Sequence, residues 1–91
     1  MVHELKILPQ YFDPVARRTK TFELRKDDRN YQLGDELLLR EWDGDHYTGR
    51  RLHRYVVYIY HGHGDYGLAE GYCILGLKAS PIPSTTLDGG R

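Results

Sequence analysis

A chain of 91 residues, 40% apolar and 29% charged, is one small domain's length with enough apolar side chains for a single core, and its composition is not that of a disordered polymer. Thirteen basic and thirteen acidic side chains leave a formal net charge of zero, which excludes a protein that coats nucleic acid by bulk charge alone. No apolar run approaches the roughly 18 residues of a membrane helix, and Glu4 and Lys6 interrupt the apolar start, so neither a membrane span nor an export signal is expected.

The first element, His3 to Leu8, carries Leu5, Ile7 and Leu8 and reads as a strand ended by Pro9. In "PQYFDPVARRT", Tyr11, Phe12, Val15 and Ala16 share one face of a short helix. Either Pro9 is its first residue, with Pro14 tolerated a turn later, or Asp13 caps a single turn beginning at Pro14. Lys20 to Lys26 follows as a strand, with Phe22 and Leu24 expected to face the core and Thr21, Glu23 and Arg25 the other side.

Asn30 and Gly34-Asp35 punctuate the way to a leucine-rich strand from Glu36 to Trp42, and "DGDHYTGR" reads as a loop. The longest strand runs from Arg50 to Tyr60, with Leu52, Val56, Tyr58 and Tyr60 sharing one parity. "HGHGDYGLAEG" is a glycine-rich loop before a last strand from Tyr72 to Leu77. The lone Cys73 sits in that apolar run and reads as a small buried hydrophobe, which fits a reducing cytoplasm. Residues 80 to 91, with two prolines and no periodicity, read as an extended or disordered tail after a domain of residues 1 to 79. One short helix and about five strands make an α+β, mainly β fold: a small mixed or antiparallel barrel with the helix against one opening.

Charge is uneven along this frame. Residues 17 to 29 hold six basic and three acidic side chains, residues 31 to 49 one basic and five acidic, and residues 50 to 54 three basic and none acidic. Glu23 and Arg25, two apart on one strand face, can pair so that the guanidinium fork is held in a fixed direction, and Lys20 adds a point charge at the strand's entrance. Spacing alone leaves a solvated strand face and a ligand cleft both open. His61, His63 and Asp65 are metal-ligand types, but two histidines on a glycine-rich loop need a third fixed partner, so neither a metal nor another cofactor is expected. Trp42 and Tyr47 flank an acidic loop and are candidate stacking platforms for bases.

The stretch "RRTKTFELR" resembles the signature of ASCH domains in the PUA-like superfamily, in which a glycine ends a helix, a lysine follows, and the next strand carries glutamate and arginine, GxKxxExR. Lys20, Glu23 and Arg25 match it, while Arg18 stands at the glycine position. "HELKILPQYFD", "GDELLLREWD", "YTGR" and "HGHGDYGLAEGYCILGL" extend the likeness, to a small bacterial and phage branch of that group, over about residues 3 to 78. The resemblance implies a pseudo-barrel with a polar cleft beside the helix and a role in binding RNA or a nucleotide. Lys20, Glu23 and Arg25 would line the cleft, with Thr21, Arg18, Lys26, Arg29 and Trp42 as further contacts. Some ASCH relatives are hydrolases, ribonuclease or N-acyl-nucleoside amidohydrolase. In an enzyme of that kind Lys20 and Glu23 would be the catalytic pair, although the amidohydrolase type has threonine where this chain has Glu23, with Thr21 two residues away and Glu70 as a candidate carboxylate. A phage or mobile-element interaction module is the remaining alternative. No membrane partner is expected, and of the oligomeric states a monomer is favoured.

Overall fold

Alternating apolar residues on five short segments resolve into one curled sheet in the computed structural model, which describes residues 1–81. The elements are β1 (Val2–Ile7), α1 (Pro9–Ala16), β2 (Phe22–Lys26), β3 (Glu36–Trp42), β4 (Tyr47–His61) and β5 (Tyr72–Lys78). Of the tail expected at residues 80 to 91, the part from residue 82 onward lies outside the described residues.

The spatial order is β1-β3-β4-β5-β2, with β1 parallel to β3 and every other pair antiparallel. The result is a half-barrel, mainly β with one short helix, as the α+β pseudo-barrel reading expects. Strands β1 and β2 follow one another in sequence yet form the two edges of the sheet, and α1 carries the chain between them. Pro9 is the first helical residue and Pro14 lies within the helix, so the first of the two helix readings is the one adopted.

The core combines Leu5 and Ile7 of β1, Phe12 and Val15 of α1, Leu37 and Leu39 of β3, Val56 of β4, and Cys73, Leu75 and Leu77 of β5. Burying each such leucine contributes about 1.5–3 kcal/mol, and this apolar layer is what holds the sheet curled. Burial also pushes the Cys73 thiol up to about 11, so it packs as an inert hydrophobe.

Two expectations of side-chain direction are reversed. Glu23 pairs across the ladder with fully buried Leu75, and Arg25 with fully buried Cys73, so the charged residues of β2 share the inner face with the core. Phe22 and Leu24 are instead 46% and 54% exposed. The cause lies in the two edge strands. Backbone carbonyls on the outer edge of β1 lack a neighbouring strand, and two cations supply donors to them: Arg25 Nη2, from the inner face of β2, donates to Lys6 O, and Arg29 Nη1, from the exposed segment after β2, to Glu4 O at 3.0 Å. Side chains therefore close the seam that backbone pairing leaves open. In β4 the register shifts between Val56 and Tyr58, a bulge that flips the parity. Val56 stays in the core, Ile59 packs against it, and Tyr58 is left 64% exposed over Gly76.

The strand β4 also begins earlier than expected, taking in Tyr47 to Gly49 of the supposed loop, because Asp43 accepts the backbone N–H groups of Asp45 and His46 and so tightens the turn. In the glycine-rich loop, Gly62 N–H donates to Tyr72 O at 2.8 Å, and a Cβ there would sit 2.3 Å from Ala69 O. That glycine serves a close approach of backbone to backbone rather than to a ligand.

Asp35 anchors the far end of β1. Its carboxylate accepts hydrogen bonds from His3 Nε2 at 2.8 Å, from the Gln32 backbone N–H at 2.9 Å, and from the N-terminal amine at 3.3 Å. Burial raises its pKa, but these bonds together outweigh burial and hold it below the usual carboxylate value. A depressed carboxylate adds stability above its unfolded pKa, and that stability is lost as pH falls through the folded value. Asp35→Asn is expected to cost about 1–3 kcal/mol at neutral pH, with the gap to the parent narrowing below about pH 4 in urea unfolding; a gap independent of pH contradicts this.

Candidate functional site

The chain leaves α1 through a tight reversal. Arg18 adopts a left-handed backbone, φ 64°, and the N–H groups of Thr19 and Lys20 both donate to Pro14 O at 3.0 Å. This turn delivers Lys20 to the start of β2, at the mouth of the seam between β1 and β2.

There Glu23 is the centre of a charge cluster. Lys20 Nζ donates to its Oε1 at 3.1 Å, while Arg25 Nε donates to its Oε2 at 2.9 Å and Arg25 Nη2 lies 2.8 Å from the same oxygen as an ion pair. The Glu23 side chain is 7% exposed, against 19% for Lys20 and 23% for Arg25. A carboxylate so enclosed is tolerable only because two cations hold both its oxygens. Lys20 Nζ also donates to Phe22 O at 2.9 Å and lies 4.9 Å from the Phe22 ring centroid and 5.3 Å from that of Tyr11.

These residues line a concavity of about 440 Å³ that wraps the free edge of β2, which is why residues of both parities reach it. Lys6, Ile7 and Leu8 close it from β1 and Tyr11 from α1, with Phe22 and Leu24 beside the charges. The shape joins a polar floor to exposed aromatic and aliphatic walls, the combination found in sites for flat, polar-edged ligands.

Of the residues expected to bind, Lys20, Glu23 and Arg25 come together here. Arg18 and Thr21 line a separate concavity on the other side of Lys20. Arg29 is used in the seam, and Lys26 borders neither hollow. Trp42 is also outside both: Lys6 Nζ lies 3.9 Å over its ring and Tyr47 meets it edge-on at 5.0 Å, so the molecule's own side chains cover it. Arg25 has Nε and Nη2 committed to Glu23 and Lys6 O, so its role is to orient the carboxylate, and only Nη1 remains for a ligand.

Sequence reasoning placed Tyr11 on the core face of the helix and Phe22 in the core, yet both are 46% exposed in the cleft wall. For Phe22 the signal was its alternation with Glu23 and Arg25: once Arg25 turns inward to donate to Lys6 O, residues of the other parity turn out. For Tyr11 no local signal existed.

At the end of β4, His61 Nδ1 meets Asp27 Oδ2 at 2.7 Å, and no group of three metal-ligating side chains occurs among the described residues. None of the described helices is long and apolar enough to cross a membrane.

Two similarities to known proteins accompany this geometry. The profile of a family described as "Domain of unknown function (DUF3850)" matches residues 2–77, which takes in α1 and nearly the whole sheet. An "Uncharacterized 12.9 kDa protein in GpA 3'region" of Escherichia phage P2 is 47% identical over 51 residues, or 56% of this chain and 47% of that protein. The chain thus matches about half the length of that curated relative.

Proposed function

The chain belongs to the family described as domain of unknown function DUF3850, and we propose that it acts as an ASCH-type, PUA-like binding domain taking an RNA segment or a nucleotide into the cleft beside α1. The observation that carries this reading is Glu23: an almost fully enclosed carboxylate, fixed by two cations, at the floor of a hollow with exposed aromatic walls. A structural ion pair alone needs no such hollow. The likeness of "RRTKTFELR" to the ASCH signature supports the same assignment.

In the bound state a base stacks on Tyr11 or Phe22 and turns its polar edge to Lys20 and Glu23. Stacking of this kind contributes about 1–3 kcal/mol per base. Lys20 donates to a base carbonyl or a phosphate oxygen, and Glu23 accepts from a base amino group. Hydrolysis has less support, because Thr21 lines a different concavity from Glu23. The test is Lys20→Ala in fluorescence anisotropy with a labelled oligoribonucleotide: affinity is expected to fall by about tenfold, the worth of one charge-assisted hydrogen bond. Unchanged affinity overturns the assignment.

A further inference from the structure

The concavity on the other side of Lys20 has a volume of about 550 Å³ and lies between the end of α1 and the β4–β5 pair. Four cations line it, Arg18, Lys20, Arg54 and Lys78, and no carboxylate does. Among the described residues only Lys20 of these four has a carboxylate partner, Glu23. In a chain of zero net charge, solubility does not require such a segregation of one sign around one hollow.

Two further features point to an anion. Arg54 Nη2 donates to Val15 O at 3.0 Å, which fixes the guanidinium against the end of α1, and burial together with the neighbouring charge of Arg18 lowers its pKa. One partly buried cation, Arg54, is thus held close to a second, Arg18, at the exposed rim. Arg18, moreover, takes the left-handed conformation that glycine adopts without steric cost. An arginine there strains the backbone and brings a guanidinium to the rim of the hollow.

We infer that this hollow is a phosphate subsite, holding the phosphate of a nucleotide or of an RNA strand whose base occupies the cleft next to it. Arg18 and Lys78 supply donors and charge, Arg54, whose Nη1 and Nη2 already donate to His53 O and Val15 O, adds its fixed charge, Thr21 lines the same hollow, and Lys20 is shared between the two hollows. The pairing of base and phosphate rests on the nucleotide-binding reading above; the affinity for phosphate itself does not.

The test uses the whole chain with three probes: inorganic phosphate, uridine, and an eight-nucleotide oligouridylate. Arg18→Gly and Lys78→Gln are compared with the parent. Arg18→Gly relieves the left-handed strain, so its thermal midpoint should rise, and weaker binding by a more stable protein is not a folding defect. For each variant the expected result is oligouridylate affinity lower by about three- to tenfold, a slope of log affinity against log salt smaller by about 0.7, and uridine affinity unchanged. If inorganic phosphate raises the parent's thermal midpoint and not that of the variants, the subsite takes the free ion too. If it raises none while the oligouridylate effect stands, the subsite serves the strand's phosphodiester. Unchanged oligouridylate affinity and slope in both variants, with no thermal effect of phosphate, overturns the subsite. Absence of uridine binding in the parent counts instead against the base cleft.

Discussion

Glu23→Ala is expected to lower the stability of the domain by about 2–4 kcal/mol and to abolish ligand binding with it. The carboxylate is the common acceptor for Lys20 and Arg25, and each is less than a quarter exposed. Removing it leaves two cations facing one another with poor access to water, which costs more than the ion pair itself contributes. Arg25 also holds the seam through Lys6 O, so its release loosens the contact between the two edge strands. Glu23→Gln keeps the shape and one acceptor oxygen, and should fall between parent and alanine. Urea unfolding measures this through the midpoint at constant slope. A midpoint unmoved by alanine means the cluster is a solvated face after all.

Tyr11→Ala should have the opposite profile, losing about tenfold in affinity for an oligoribonucleotide with little change in stability. The ring is 46% exposed and lies outside the buried core cluster, so the fold depends on it little. A base that stacks on it loses its platform in the alanine variant and keeps it in Tyr11→Phe. Anisotropy on the three proteins separates stacking from hydroxyl contact. Equal weakening by alanine and phenylalanine assigns the effect to the hydroxyl, and no weakening by alanine removes Tyr11 from the site.

The sequence carried the strands, because apolar residues recur with the right period in β1, β3 and β5, and it carried Lys20, Glu23 and Arg25 as a cluster. It did not carry which face of β2 turns inward. By composition Phe22 and Leu24 belong inside, and the rule that apolar residues face the core fails there because an edge strand answers to a different demand. Carbonyls of β1 have no strand beside them, and Arg25 reaches one of them, Lys6 O, from the inner face that it shares with Glu23. The bulge at Val56 to Tyr58 hid the parity of β4 in the same way, since an inserted residue leaves no mark in a run of Val, Val, Tyr, Ile and Tyr. Tyr11 and Arg54 could not be joined to the charge cluster from sequence, because it takes the reversal after α1 to bring Tyr11 near Lys20 and the packing of α1 against β4 to bring Arg54 to the same hollow.

The most direct test of the binding cleft is a titration of the ¹⁵N-labelled chain with uridine, followed by amide chemical shifts. The expected result is a saturable set of shifts confined to Leu8, Tyr11, Lys20 and the Phe22–Arg25 stretch, lost in Lys20→Ala. Saturable shifts centred on Trp42 and Tyr47, or no shifts at concentrations where the oligoribonucleotide binds, would contradict a base-binding cleft at the β1–β2 seam.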